Sequence, residues 1–469
     1  MAGLLVALIA AATLAFGAVY PWGYLPLFAA SALIGVAAIL RAGVAPPLRP
    51  LAYVLALTWA AIALQLVPLP RTLVDMMSPA AAGILRAFSL TFASAEAARL
   101  PLSIDPARTQ IAVIAFGALA LFLVGAPAWL DRRALRALPR ALALFALLLA
   151  LFGIYSRENS NRDTLIYWFW RPQDSVGASP FGPFVNRNHF GGWMLMAICL
   201  MTGSMFGQIE RAIRERRRHT RVLSWLSSPE ANGIGLMLIA VVMAIVALFW
   251  TLSRSSITGL AVSAAAFGWL VTRRRRFGTA PRSAILVMFG AALLAGLVWR
   301  GPDDVLQRFQ DGQNLFNRLD AWRDGWRVVQ DFPVAGTGLN TYSDAMLFYQ
   351  TRNRDFHLAQ AHNDYLQLLA EGGLLVALPA LAALVLLVQR VRRNLHAARH
   401  EARGYWIRAG AAVGMLGVGV QEIFEFSLQI PANALLFCTL AAVAMAPVSV
   451  DARHPNGDVP RDNIEPTNE

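Results

Sequence analysis

The feature that most constrains this chain is its succession of apolar runs, many of them close to twenty residues long. A helix of that length matches the hydrocarbon thickness of a bilayer. Hydrophobic residues make up 57% of the chain and charged residues only 15%. A soluble domain of this size needs more charged surface than that. The sequence therefore predicts an all-α, polytopic membrane protein.

The apolar runs predict about twelve transmembrane helices. They lie at residues 4–20, 24–40, 51–67, 109–130, 138–155, 188–207, 232–250, 256–272, 283–299, 362–388, 407–425 and 428–447. The first run follows Met-Ala-Gly without a positively charged region, so we interpret it as a span and not as a cleaved signal. Three parts are expected: N-terminal helices (1–150), a second membrane domain (151–447) with a large helical loop at 300–361, and a disordered cytoplasmic tail (448–469).

The arginines predict which loops face the cytoplasm. The chain has no lysine, so its net charge of +13 comes from arginine. Alternate loops (41–50, 131–140, 208–231, 273–282 and 389–408) together carry 23 arginines against five acids. By the positive-inside rule these loops and both termini are cytoplasmic, and the 300–361 loop faces outward. Basic charge confined to membrane loops does not indicate nucleic-acid binding.

Cysteine and histidine spacing does not predict a metal site. Cys199 and Cys438 lie inside apolar runs and are interpreted as small buried hydrophobes. His357 and His362 are five residues apart and lack a third ligand at a suitable spacing. The outer loops also lack clustered carboxylates, so we expect neither a metal nor a cofactor.

Two outward segments in the first half of the second domain carry candidate binding residues. Tyr167–Trp170 is an aromatic cluster, which suits either stacking on sugar rings or anchoring at the membrane interface. Arg187, Asn188 and His189 follow at a helix start. They are possible substrate contacts, and the alternative is helix capping by asparagine with a snorkelling arginine.

Arg254 stands in TLSRSS, a short turn between two apolar runs with no carboxylate in either run. A guanidinium at a membrane boundary without a local partner attracts an anion. A lipid phosphate or the pyrophosphate of a lipid-linked sugar would satisfy it.

The large loop contains a second arginine of this kind. Leu319, Trp322, Trp326 and Val329 recur at helical spacing, which predicts an amphipathic helix over 315–331 with this stripe buried. On its polar face Arg323 and Arg327 each follow an aspartate by three residues, so they are predicted to be locally paired. Arg318 has no such partner and is the candidate anion ligand. The following GTG is a weak phosphate signal without a preceding strand.

His362 precedes the long run 362–388. A neutral imidazole can act as a general base near neutral pH, whereas the bland alternative is a capping or interfacial histidine. Asp364 points to another side of any helix, so an orienting carboxylate must come from elsewhere, with Glu422 or Glu425 as candidates.

Four motifs together resemble the O-antigen ligase and polymerase superfamily: FVNRNHFGGW, LSRSS, NRLDAWRDGWRVVQDFPVAGTGLNTY and AHNDYLQLLAEGG. The resemblance covers roughly residues 150–445. It implies a bacterial inner-membrane glycosyltransferase of surface polysaccharide synthesis, such as lipopolysaccharide or exopolysaccharide, acting on the periplasmic face. His362 would be catalytic, Arg254 and Arg318 would hold the donor pyrophosphate, and Arg187, Asn188, His189 and Asn363 are possible substrate contacts.

The expected reaction is metal-independent and inverting: a glycan moves from undecaprenyl pyrophosphate to an acceptor hydroxyl. The acceptor stays open among lipid A core, another repeat unit and a protein, with a slight preference for a repeat unit. The alternative function is a transporter or flippase of lipid-linked oligosaccharides. That class usually shows internal repeats and midplane charges, whereas here ionisable residues collect at outer helix ends.

Overall fold

The chain folds almost entirely into helices, as expected for membrane spans. The computed structural model describes residues 1–81, 83–84, 99–159, 165–172, 179–216, 229–274, 313–352, 354 and 357–448, with a few isolated residues between 290 and 303. In these ranges the α-helices, numbered in chain order, are α1 Ala2–Leu14, α2 Pro21–Ala42, α3 Arg49–Leu64, α4 Arg71–Met77, α5 Pro106–Gly125, α6 Arg132–Asn159, α7 Arg187–Arg216, α8 Pro229–Trp250, α9 Arg254–Arg273, α10 Gln313–Asp331, α11 Tyr342–Tyr349, α12 Asp364–Ala397, α13 Ala402–Gln421 and α14 Pro431–Met445.

Short elements join these helices. The 3-10 helices are Phe16–Ala18, Pro46–Leu48, Ala126–Trp129, Ala398–His400 and Ser427–Gln429. Two strands of two residues each, β1 Leu69–Pro70 and β2 Arg99–Leu100, pair antiparallel.

The all-α, polytopic membrane fold predicted from hydropathy is confirmed. Eight helical segments of the described chain are long and apolar enough to cross a membrane, and the apolar helices α1 and α14 are shorter. Eleven of the twelve predicted runs coincide with described helices. The run 283–299, apart from isolated positions, and the tail after residue 448 lie outside the described residues. The division at residue 150 stays a prediction.

Helix α7 is the central helix of the membrane domain, because its most apolar window is entirely buried. It crosses α13 where Gly203 meets Gly410. A Cβ added at Gly203 would lie 2.3 Å from the carbonyl oxygen of Trp406, and one added at Gly410 would lie 2.6 Å from that of Cys199. Glycines at such a crossing let two backbones approach closely, which is how membrane helices gain packing contact without a hydrophobic driving force.

At the far end of α7 a buried ion pair joins three elements. The Glu210 carboxylate accepts hydrogen bonds from Arg274 Nε at 2.5 Å and Nη2 at 3.0 Å, and from Trp406 Nε1 at 2.8 Å. The carboxylate and guanidinium are 1% and 8% exposed. Breaking such a pair leaves an uncompensated buried charge, so the interaction fixes the end of α7 that lies away from residues 187–189.

The N-terminal helices hold the large loop in place through Gln65, which follows α3 and is fully buried. Its Nε2 donates to the carbonyl oxygens of Ala335 at 2.7 Å and Glu371 at 2.9 Å, and its Oε1 accepts from the Leu339 N–H at 3.0 Å. One side chain thus clamps the segment after α10 onto α12.

The glycine turn after α10 binds a carboxylate of the protein itself. Gly336 has φ +65°, and a Cβ there would lie 2.2 Å from the carbonyl oxygen of Glu371. The Glu371 side chain accepts the N–H groups of Asn340 at 2.8 Å and Tyr342 at 2.9 Å. Within GTG itself, the Thr337 N–H donates to the carbonyl oxygen of Ala370 at 3.0 Å and the Gly338 N–H to that of Glu371 at 2.9 Å. The weak phosphate signal in GTG is therefore accounted for by internal packing.

We predict that Gly410→Ala destabilises the protein, because the added methyl group forces α7 and α13 apart. Overpacking of this kind costs about 1–3 kcal/mol. The control is Gly235→Ala in α8, where nothing lies within 4 Å of the added Cβ, and this change is expected to stabilise by up to about 1 kcal/mol. Thermal unfolding in detergent measures both variants. Equal midpoints for the two variants would show that the glycine crossing carries no packing constraint.

Candidate active site

A buried carboxylate, Glu425, gathers side chains from three separate parts of the chain. It lies in the turn between α13 and α14 and is fully buried. Its Oε1 accepts from Asn188 Nδ2 at 2.6 Å and from Arg318 Nη2, and its Oε2 lies 3.3 Å from His362 Nδ1. Three elements therefore meet at Glu425: the start of α7, the first half of α10 and the residue before Asn363.

His362 is held at this point by an unusual backbone conformation. Its φ is +50°, a left-handed value that costs a non-glycine residue roughly 1–2 kcal/mol. Capping of α12 is done by Asn363, whose side-chain oxygen accepts the N–H groups of Tyr365 at 3.1 Å and Leu366 at 3.0 Å. The capping interpretation thus applies to Asn363, and the imidazole of His362 points to Glu425.

The contact with Glu425 selects a tautomer for His362. An ionised carboxylate only accepts hydrogen bonds, so Nδ1 of the imidazole donates and Nε2 carries the lone pair. The side chain is 32% exposed, which leaves the ring accessible. This arrangement is that of a general base oriented by a carboxylate. Of the two carboxylates predicted as partners, the structure places Glu425 here.

The charges around Glu425 keep it ionised. Burial would raise its pKa, but the hydrogen bond from His362 and the charges of His362 and Arg318 outweigh burial and hold the pKa below its ordinary value. Glu422 behaves oppositely. Burial, and secondly the neighbouring Asp364, raises the pKa of Glu422 well above its ordinary value. The pKa values of two buried glutamates three residues apart are therefore shifted in opposite directions.

The prediction that Arg318 lacks a carboxylate partner is wrong. Its guanidinium pairs with Glu425, which lies 107 residues later in the chain. The earlier expectation considered only neighbours on the same helix, and a tertiary partner is invisible to that test. The side chain is 21% exposed, and a guanidinium has five N–H donors. Glu425 takes one of these donors, on Nη2.

The start of α9, which carries Arg254, lies against the first turn of α7. A Cβ added at Gly191 would lie 2.3 Å from Ser256 Oγ, and Ser253 caps α9. Arg254 and Arg187 are both half-buried and both have polar interactions in the structure. The elements that bear Arg187, Asn188 and Arg254 thus adjoin one another. That Arg254 faces the same cavity as Arg318 and His362 stays a prediction.

His189 lies behind the site. Its ring packs edge-on against Phe426 at 4.6 Å between centroids, and Phe426 packs against His362 at 5.0 Å. His189 is only 5% exposed, and its carbonyl oxygen accepts from Asn433 Nδ2 at 3.0 Å. His189 is one of the residues expected to touch substrate. In the structure the ring of Phe426 lies between His189 and His362.

Helix α10 forms as predicted, but its buried face differs from the prediction. The pairs Arg323–Asp320 at 3.4 Å and Arg327–Asp324 at 3.5 Å are present. Leu319 and Trp326, expected to be buried, are 44% and 50% exposed. The residues that the helix buries are mostly small, including Ala321, Asp324, Gly325 and Val328.

Asp324 itself is a structural residue. It is 2% exposed and accepts from the N–H of Thr351 at 2.9 Å and its hydroxyl at 2.8 Å. These bonds hold the chain that follows α11.

The aromatic segment is partly structural. Tyr167 donates its hydroxyl to the carbonyl oxygen of Leu14 at 2.6 Å, and Trp170 Nε1 donates to the Tyr20 hydroxyl at 3.2 Å. Trp168 and Phe169 are 49% and 75% exposed. Two of the four aromatics thus tie the segment to the end of α1 and to the residue before α2, and the other two are exposed.

His357 is separate from this centre. Its Nε2 lies 2.8 Å from Ser343 Oγ, and the pair is exposed. Across the described ranges, no group of three or more His, Cys, Asp or Glu residues has the arrangement of a metal site.

Comparison with known families bears on this centre. Residues 239–381 match the family model described as O-Antigen ligase. This match supports a relationship between that part of the chain and the O-antigen ligase and polymerase superfamily. The activity that follows in general terms is that of a membrane glycosyltransferase of ligase or polymerase type, in a multi-pass membrane protein. No curated protein matches the chain.

The matched region contains Arg254, Arg318 and His362 but neither Asn188 nor Glu425. The residues around Glu425 therefore come from the matched region and from the chain before and after it. Gln421 also takes part, because its Nε2 donates to the Asn188 carbonyl oxygen at 3.0 Å and to Ser427 Oγ at 3.0 Å. No sequence signal pointed to this glutamine.

We predict that Glu425→Gln lowers the stability of the folded protein at neutral pH by about 3 kcal/mol, because Arg318 and His362 lose a buried anionic partner. The pKa of Glu425 is depressed in the folded state, so its contribution is complete above the unfolded pKa of about 4.3 and is lost as the pH falls through the lower folded value. The difference in unfolding free energy between wild type and variant should therefore narrow below about pH 4. Chemical denaturation in detergent across pH 3–7 measures this difference. A difference that stays constant over this range would contradict a depressed pKa of Glu425 in the folded state.

Proposed function

We propose that the protein transfers a glycan from undecaprenyl pyrophosphate to an acceptor hydroxyl on the periplasmic face of a bacterial inner membrane. The observation that carries the proposal is the Glu425 carboxylate, which joins His362 to Arg318. A base and an anion-binding cation are thereby held side by side, and the O-antigen ligase match covers both residues. A lipid-linked glycan and a polysaccharide acceptor are the substrates that this family implies.

In the proposed reaction His362 is the general base. The acceptor hydroxyl gives its proton to Nε2, its oxygen forms a bond to the anomeric carbon, and the bond from that carbon to the pyrophosphate oxygen breaks. A single displacement of this kind inverts the anomeric configuration. Glu425 holds the Nδ1–H and stabilises the imidazolium that forms, which is the role of an orienting carboxylate.

The leaving group needs charge stabilisation. The leaving lipid pyrophosphate takes the bonding electrons, and arginine forks match phosphate oxygens in geometry and charge. Arg318 supplies N–H donors not used by Glu425, and Arg254 is proposed as the second ligand. Preorganised cations of this type contribute mainly electrostatic stabilisation, so the proposed reaction has no metal step.

The remaining predicted residues take supporting roles in this proposal. Asn188 positions the Glu425 carboxylate, and His189 supports the ring of Phe426 beside His362. Arg187 and the amide nitrogen of Asn363 are proposed to contact the glycan. The acceptor is a sugar hydroxyl of lipid A core or of another lipid-linked repeat unit.

We predict that His362→Ala lowers glycan transfer by about 10²–10⁴-fold, the usual contribution of a general base. The protein is reconstituted with a synthetic undecaprenyl-pyrophosphate oligosaccharide and an acceptor glycan, and release of lipid pyrophosphate is followed. His357→Ala is the matched control, because that histidine is exposed and pairs with Ser343. Glycan transfer at the wild-type rate by His362→Ala would contradict the assignment of His362 as the general base.

The same assay distinguishes the alternative function. A flippase would move the lipid-linked oligosaccharide between leaflets without releasing pyrophosphate. Leaflet exchange of labelled lipid in the absence of any release, in wild type, would replace the transferase proposal by the transporter one.

We predict that Arg318→Ala lowers the maximal rate of transfer by about 10²–10³-fold, as expected for loss of one preorganised donor to a developing charge. Arg318→Lys should lie between this variant and wild type, because it retains the charge and loses the planar fork. Arg352→Ala is the control, since that side chain is 62% exposed and pairs with Asp320 at 3.1 Å. Full activity of Arg318→Ala would exclude Arg318 from stabilising the leaving group.

A further inference from the structure

Helix α10 lies at the level where the membrane spans begin. A Cβ added at Gly325 would lie 3.3 Å from Leu366 Cδ2, in the first turn of α12. Trp322 Nε1 donates to the carbonyl oxygen of Ala361 at 2.9 Å, and its ring lies 6.0 Å from that of Phe424, beyond the end of α13. These contacts place α10 across the start of one span and the end of another.

The face of α10 that points away from these contacts exposes two large apolar side chains. Leu319 and Trp326 are seven residues apart, which is two helical turns, so they share a face. They are 44% and 50% exposed. Arg323 and Arg327, which pair with Asp320 and Asp324 and are 61% and 50% exposed, lie along one edge of this face. A helix that covers a soluble core turns its leucine and tryptophan side chains inward. Here both side chains are exposed, and arginines border them.

Other residues at this level show the same exposure. Tyr365, in the first turn of α12, is 48% exposed, and Ile423, after α13, is 40% exposed. Aromatic and aliphatic side chains at the ends of spans are characteristic of the membrane–water interface. A helix with tryptophan and leucine on one face and arginines at its border lies in the interface plane, with its cations on lipid phosphates.

We propose that α10 docks onto the outer leaflet of the bilayer through Leu319 and Trp326, with Arg323 and Arg327 bound to lipid headgroup phosphates. The position of the helix at the ends of α12 and α13, and two exposed guanidinium groups beside Leu319 and Trp326, select a lipid surface as the occupant. This docking goes beyond glycan transfer and does not depend on it. Its consequence for the site is that Arg318, on the same helix, is fixed at the depth of lipid phosphates.

Spin labels test this contact directly. Single cysteines replace Leu319 or Trp326 in a background that carries Cys199→Ala and Cys438→Ala, and Arg352→Cys serves as the aqueous control. The labelled proteins are placed in nanodiscs of phosphatidylethanolamine and phosphatidylglycerol. Collision rates with oxygen, which concentrates in the bilayer, are compared with those of a water-soluble nickel chelate. Labels at 319 and 326 should favour oxygen by several-fold relative to the label at 352.

Two results would overturn the docking proposal. Labels at 319 and 326 that favour the nickel chelate as strongly as the label at 352 would place this face in water. Labels shielded from both reagents, with dipolar broadening between molecules, would identify a second copy of the chain as the occupant. The measurement needs no donor or turnover, so it is read independently of glycan transfer. Unchanged thermal unfolding of each labelled variant shows that α10 is still folded.

Discussion

The site depends on one buried negative charge. A carboxylate removed from water is costly unless donors surround it, and Glu425 receives its donors from α7, from α10 and from the residue that precedes the cap of α12. Asn188 and His362 lie at the starts of α7 and α12, and Arg318 lies on α10. The carboxylate therefore helps to fix the mutual position of these three elements at one point.

The two glutamates of this turn show how position decides chemistry. Glu425 faces a guanidinium and an imidazole, while Glu422 faces the carboxylate of Asp364, and their pKa values move in opposite directions. Both glutamates are buried, so the difference between their pKa values comes from their charged neighbours.

The sequence predicted the spans because a bilayer requires long apolar helices, and it predicted a distant carboxylate for His362 because Asp364 points away on any helix. It did not predict the partner of Arg318, since a contact across more than a hundred residues leaves no local pattern. The orientation of α10 was also missed for a physical reason. Periodicity identifies an apolar stripe, but in a membrane protein such a stripe faces either the core or lipid, and Leu319 and Trp326 lie on the outward side.

The clamp made by Gln65 has a consequence for how this chain can be divided. The region that matches the family model begins at residue 239, yet the segment between α10 and α11 is bonded to a glutamine that precedes it by about 270 positions. Excising the matched region would leave the Ala335 and Glu371 carbonyls and the Leu339 amide without this partner. The first three helices are thus part of the fold around residues 335–371. Any exchange of the two halves of the chain would have to preserve this glutamine together with the glycine turn that it contacts.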